Sequence, residues 1–323
     1  MNKQIVYIIG VGRSGTSLLM TLLNGHSQIT FTPETHFLRF YLGTPSVQKI
    51  IEEKGVIAFR ETLEKDDYFQ RLNIAEEELL EPYLMNDKSF NLKEVYRDLL
   101  HIYLGRKGKQ FIGDKDPRYI DYQEVIKEMY PKAKVIHIYR DPRDVMLSKT
   151  KADWSSHRPI WMNAIISQMQ IEQGRSTAKK LFGNNFYELS YESLITQPQE
   201  TLTKLLSFLS LDFEEKMFDL RQSAKELVDE NEMQWKDNTF KPLQASNTQK
   251  WKKQFSSTQI RTIEIICKEW FQELGYEYSN AKVGFLKTLF LKFAFSFRSI
   301  QAWFYNYKLK SQLKSIEKEL LNT

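Results

Sequence analysis

The stretch from Ile5 to Ser17, IVYIIGVGRSGTS, constrains this chain more than any other. Ile5 to Ile9 are apolar, β-branched or aromatic, which predicts a strand buried on both faces. Gly10 breaks the run, and Leu18, Leu19, Leu22 and Leu23 then recur at helical spacing. A strand, a glycine-rich turn and a helix in that order make a phosphate cradle. The glycines let backbone approach an anion, and the helix start offers unpaired N–H groups at the positive end of its dipole. The spacing is that of a P-loop, G-x-x-x-x-G-K-[ST], with Gly10, Gly15 and Ser17 in place. Thr16 stands where the lysine belongs, which counts against ATP or GTP hydrolysis. Arg13 is the nearest substitute cation.

A chain of 323 residues can bury a large core as one α/β domain, alone or with an appendage. Its net charge of +5 suits an anionic ligand but is too small and too scattered to indicate nucleic acid. The single cysteine, Cys267, excludes an intramolecular disulfide and reads as a core residue. The first strand begins almost at the N-terminus, leaving no room for a signal peptide, and no apolar run is long enough to span a bilayer. A cytoplasmic enzyme is expected.

Along the chain, a helix is expected over Thr16–Asn24 and a short strand over Ile29–Thr32, leading into Pro33-Glu34-Thr35-His36. Residues 45–107 read as a helical insertion, with amphipathic spacing at Leu79, Leu80 and Leu84 and again at Val95, Leu99 and Leu100. It would pack on the sheet or wall an active site as an acceptor cap. A strand starting at Phe111 ends in Lys115-Asp116-Pro117, and Lys134–Tyr139 forms another, ending at Arg140-Asp141-Pro142-Arg143-Asp144. Phe186–Leu189 is a further strand, and helices follow from Pro142 and Pro198. This alternation indicates a mostly parallel central sheet in a P-loop-like, three-layer α/β fold. Asp229–Lys250 reads as a long polar loop, and Ser257–Leu274 as a helix opened by a Ser256–Gln259 capping box.

Arg13-Ser14-Gly15-Thr16-Ser17-Leu18 resembles the 5′-phosphosulfate loop, R-S-G-T-[ST]-L, of sulfotransferases that use 3′-phosphoadenosine 5′-phosphosulfate (PAPS). Arg140 and Ser148 are similarly placed to that family's 3′-phosphate arginine and serine. A guanidinium can grip two oxygens of a dianion, and a hydroxyl can add a donor. Alone, R-D-P-R-D would serve equally as an ion-pair cluster at a helix start. Glu34 resembles the catalytic glutamate of the tyrosylprotein sulfotransferase branch, and Lys115 the lysine of its K-D-P turn. Tyr191 in Y-E-x-L resembles the tyrosine beside the adenine, and Lys250-Trp251 a motif in the loop over the cofactor. The resemblance covers about Ile5 to Tyr278.

It implies an enzyme that moves the sulfuryl group of PAPS to a hydroxyl acceptor, with Gly12, Arg13, Ser14, Gly15, Thr16, Ser17, Arg140, Ser148, Tyr191 and Lys250 on the cofactor. Arg13 and Lys115 would stabilise negative charge on the leaving oxygen, and Glu34 would take the acceptor's proton, with His36 as the rival base. No metal-ligand spacing is present and no metal is expected. A saccharide, a tyrosyl or phenolic group and a lipid-linked hydroxyl all remain open as acceptors. A P-loop nucleotide or small-molecule kinase is the competing reading, weakened by the missing lysine and by the lack of an evident magnesium-binding aspartate at a strand end.

Residues 1–282 would form the sulfotransferase domain and 283–323 a C-terminal amphipathic extension. In the latter, Leu286, Leu289, Phe290, Phe293, Phe297, Ile300, Phe304 and Tyr307 make one helical stripe among basic residues. That stripe is expected to pack on the domain or on a second copy in a homodimer, or else to lie peripherally on a membrane.

Overall fold

The computed structural model describes residues 4–43, 45–225, 227, 243–295, 297, 303, 305, 307 and 311. Strand β1 (Gln4–Ile9) lies in the middle of the sheet. After β2 (Ile29–Phe31) come β3 (Phe111–Lys115), β4 (Lys134–Tyr139) and β5 (Phe186–Ser190). The order is β2-β3-β1-β4-β5, and every pairing is parallel. The chain winds one way from β1 to β2 and β3, then the other way to β4 and β5. The C-terminal ends of β1, β3 and β4 therefore meet at a switch point, where an open α/β sheet binds its ligands.

Both faces of β1 are buried, as its uninterrupted apolar run predicts. Ile5, Tyr7 and Ile9 join Ile112, Val135 and the insertion helices on one side, while Val6 and Ile8 join Leu19, Leu22, Ile136 and Ile138 on the other. The two-residue period of the strand makes this division and gives the three layers. The 45–107 segment forms helices over Pro45–Glu64, Glu76–Leu84 and Leu92–Lys107, the first broken at Gly55 (φ 85°). Leu79, Leu80, Val95, Leu99 and Leu100 are buried as their spacing predicts, and Leu84 is half-buried.

Three expectations need correction. A 23-residue helix over Ile160–Phe182 has no counterpart in the sequence reading. Its buried face carries Asn163, Ser167, Gln168 and Gln170 among the apolar residues, so no clean stripe marks it. The Ser257–Leu274 helix keeps its capping box but breaks at Cys267 into Ser257–Ile266 and Lys268–Leu274. Of the long polar loop, residues 229–242 lie outside the described residues; Ala245–Asn247 forms a 3₁₀ turn.

The C-terminal helix, Phe285–Phe295, docks on the domain by the flank opposite its predicted stripe. Leu291 is buried, and the ring of Phe295 lies 5.9 Å from that of Trp161. Leu286, Leu289, Phe290 and Phe293 face outward. Leu291 and Phe295, one turn apart, supply a second apolar edge that satisfies the domain and leaves the larger one outside. Ile300 and Phe304 lie outside the described residues. Among those described, no helix is long and apolar enough to cross a membrane.

At the C-terminal end of β3, the fully buried carboxylate of Asp114 gathers five donors. Thr32 Oγ1 lies at 3.1 Å, Thr35 Oγ1 at 2.8 Å, Tyr96 Oη at 2.7 Å, Tyr119 Oη at 2.8 Å and the Lys115 N–H at 2.7 Å. Burial raises its pKa above the usual value, and the hydrogen bonds oppose that rise. Asp114→Ala would leave several hydroxyls buried without an acceptor and should cost about 3 kcal/mol or more, read as a lowered midpoint in chemical denaturation.

Candidate active site

The glycine-rich turn leaves β1 and enters the Thr16–Asn24 helix as the strand-turn-helix pattern requires. Gly15 sits at φ 99°, a left-handed conformation open to glycine, and its carbonyl accepts the Leu19 N–H at 3.0 Å. A Cβ on Gly15 would come within 2.5 Å of the Tyr191 ring, so glycine also lets that ring close onto the loop. Arg13 holds φ 78° without being glycine, a strained backbone of the kind found at ligand sites.

Lys115 is fully buried, and its Nζ donates to Ser17 Oγ at 3.0 Å and pairs with Glu34 Oε1. An ammonium thus reaches the loop from the end of β3, in place of the P-loop lysine that Thr16 displaces. Arg13, expected as that substitute, instead sends its Nε to Ser148 Oγ at 2.8 Å. Burial and the charge of Arg140 lower the Arg13 pKa, a sign of a site arranged for an anion.

Arg140 emerges from β4 with its guanidinium carbon 4.2 Å from the centre of the Tyr191 ring. Its nitrogens donate to the carbonyls of Arg13 at 3.4 Å and Asn247 at 2.6 Å. The rest of R-D-P-R-D makes the ion-pair cluster that its composition also allows. Arg143 binds Asp141 through two nitrogens and Glu264 at 3.0 Å, and Asp141 caps the Pro142–Lys149 helix. Asp144 accepts the N–H groups of Gln249 at 2.6 Å and Trp251 at 3.2 Å, which ties the Lys250 segment down. Lys250 itself is exposed and donates to Asn247 Oδ1 at 2.6 Å.

Glu34 and His36 follow β2, held in place by Thr32 and Thr35 on Asp114. His36 has φ 51°, and its Nδ1 lies 2.5 Å from Asp116 Oδ2, while its Nε2 stands 4.0 Å from Glu34 Oε2. Burial pushes the His36 pKa down, but the Asp116 charge and hydrogen bond, with Glu34, raise it overall. Burial pushes Asp116 up, and the paired imidazolium more than offsets this, leaving it lowered. The sequence shows no metal-ligand spacing, yet the fold brings donor atoms of Glu34, His36 and Asp116 within 4.8 Å of one another. Cationic side chains of the protein already meet these carboxylates, Lys115 on Glu34 and His36 on Asp116.

Sequence reasoning missed Asp114 and Asp116 as site-building residues. Asp116 was legible only as part of the K-D-P turn, and Asp114 as an acid inside an otherwise apolar strand. Asp114 lies one residue before the end of β3, with its oxygens committed to protein donors. Beside His36, the rings of Phe40 and Tyr68 stand 5.6 and 4.2 Å away. They border a cavity of about 360 Å³ that the insertion completes with Phe59, Lys54 and Asp66.

Two solved sulfotransferase domains share the fold. One, from the curacin biosynthetic pathway, is 18% identical with a TM-score of 0.60, covering 86% of this chain and 99% of that one. The other, from the Synechococcus PCC 7002 olefin synthase, is 20% identical with a TM-score of 0.55, covering 92% and 96%. A putative protein-tyrosine sulfotransferase of Caenorhabditis briggsae is 22% identical over 87% of this chain and 91% of its own. An uncharacterized protein of Aquifex aeolicus is 23% identical over 84% of this chain, which spans 33% of that longer protein. The profile of the sulfotransferase family matches residues 5–215, more than half of the chain, and the protein belongs to that family.

Proposed function

We propose that this sulfotransferase draws its sulfuryl group from PAPS and passes it to a hydroxyl acceptor seated between Glu34 and the helical insertion. The observation that carries the donor assignment is a pair of buried, unpartnered polar atoms, Ser14 Oγ in the glycine-rich turn and Arg140 Nε just after β4. Buried donors without acceptors are costly, and an anion bearing phosphates at both ends would satisfy both. The loop from Gly12 to Ser17 would hold the 5′ end, and Arg140 with Ser148 the 3′-phosphate. The ring of Tyr191 would border the adenine. Lys250 would approach the cofactor from the 249–251 segment that Asp144 ties down.

PAPS, when bound, supplies the sulfuryl group and leaves as 3′-phosphoadenosine 5′-phosphate (PAP). Sulfuryl transfer resembles phosphoryl transfer in its loose, in-line character, so the protein's task is positioning and charge. Lys115, held against Ser17, would neutralise charge on the leaving oxygen, with the loop N–H groups beside it. Glu34 would accept the acceptor's proton. Its Oε1 is bound by Lys115, and its Oε2 faces the neighbourhood of His36. His36 then serves as a positioning residue, pinned by Asp116 with its Nε2 turned toward Glu34 Oε2. The cavity beyond Phe40 and Tyr68 has aromatic walls and charges of both signs, which suit a ring-bearing hydroxyl such as a phenol or a sugar. The kinase reading loses ground because Asp114, the strand-end acid, has its oxygens occupied by five protein donors.

Titration with PAP should raise the melting temperature without magnesium, and Arg140→Ala should weaken PAP about 10- to 150-fold by calorimetry. Stabilisation by ATP that requires magnesium would support a kinase instead. Glu34→Gln should lower kcat about 10²- to 10⁴-fold while PAP affinity holds. An active Glu34→Gln beside a dead His36→Gln would transfer the base to His36.

The His36–Asp116 pair also predicts a pH dependence of stability. His36 is raised in the fold, so its contribution is complete below its ordinary value of 6.5 and fades as pH rises through the folded value. Asp116 is lowered, so its contribution is present above its ordinary 3.8 and is lost as pH falls through the folded value. The melting-temperature gap between the native protein and His36→Gln should therefore be widest near about pH 5 to 6 and shrink toward about pH 9.

A further inference from the structure

We propose that the outer face of the Phe285–Phe295 helix is a docking surface for an anionic lipid membrane. Phe285, Leu286, Leu289, Phe290 and Phe293 are all exposed, by 79, 79, 56, 65 and 70%. At roughly 100° per residue they form one stripe about 140° wide. Lys287 and Lys292, both exposed, border that stripe on either side, and Thr288, Leu291 and Phe295 face the protein. An apolar stripe between lysines is the arrangement of a helix lying in a membrane interface, with rings among the acyl chains and ammonium groups at the headgroups.

Charge selects the occupant. From Tyr278 to Leu313 the chain has no Asp or Glu and carries Lys282, Lys287, Lys292, Arg298, Lys308 and Lys310. A second copy would set these cations against an identical set, whereas an anionic leaflet attracts them. Trp303 and Tyr307 add exposed aromatic surface, 59 and 63% exposed with rings stacked at 5.5 Å. Between them, Tyr305 is buried and hydrogen-bonded to Asp121. Asp121 ends the short helix that leaves Asp116, so the tail is fastened close to the chemistry. The helix is thus held against the domain by one edge while the apolar edge stays presented. The inference does not rest on the identity of the sulfuryl donor or acceptor.

The test is co-sedimentation of the full chain with phosphatidylcholine–phosphatidylglycerol vesicles and with phosphatidylcholine vesicles, alongside light scattering without lipid. The expected result is binding to the anionic vesicles that weakens at high salt and on pure phosphatidylcholine. A Phe290→Glu/Phe293→Glu variant and a Lys287→Glu/Lys292→Glu variant should each lose partitioning at least about tenfold. Both alter exposed side chains and should keep the native melting temperature. Protein that stays in the supernatant with both vesicle types overturns the proposal. So does a stable dimer in solution that Phe290→Glu/Phe293→Glu splits, which would assign the stripe to a second copy.

Discussion

The buried carboxylate of Asp114 is the joint on which the catalytic end of the sheet depends. It binds the two threonines that flank Glu34, one tyrosine from the insertion and one from the turn after Asp116. A fully buried acid is tolerable only when its lone pairs are filled, and here they are. The cost of burying it is recovered as geometry. Glu34 and Lys115 arrive from two separate strand ends and still pair directly, with His36 Nε2 4.0 Å from Glu34 Oε2. A neutral residue of similar size could fill the volume but could not hold four hydroxyls from three segments.

Much of the fold was legible because parallel strands buried on both faces leave continuous apolar runs. β1 and β4 could be bounded nearly to the residue, and the glycines of the loop identified its turn. The Ile160–Phe182 helix escaped because polar residues fill much of its inner face, where they bind other side chains and backbone. Lys149, for example, reaches Ser167, and Asn163 reaches the Ser155 carbonyl. Hydrophobic periodicity is blind to such a face. The residues proposed for the cofactor stand in motifs, since a phosphate cradle is local in sequence. The Asp114 hub was not legible, because its partners lie up to 82 residues away and a lone acid in a strand carries no pattern.

Within R-D-P-R-D the charges divide their work. Asp141, Arg143 and Glu264 satisfy one another and fix the start of the helix. Asp144 spends its oxygens on backbone N–H groups of the 249–251 segment. Arg140 is left with two neutral carbonyls and an aromatic face. Carbonyls are weaker partners for a guanidinium than a phosphate is, so exchange toward an anion is favourable without breaking a salt bridge.

The separation of Lys115 from the loop it serves makes sheet register the ruler that places the charge. Lys115 is paired with Ile8, two residues before Gly10. In an ordinary P-loop the lysine follows the glycine in the same turn, and its position survives any sliding of neighbouring strands. Here a one-residue slip of β3 would turn the ammonium to the other face of the sheet and put Asp114 toward the loop. The contact of Lys115 with Ser17 and the strand pairing must therefore form together. A folding error at this one seam would yield a protein with an intact glycine loop and an inverted local charge.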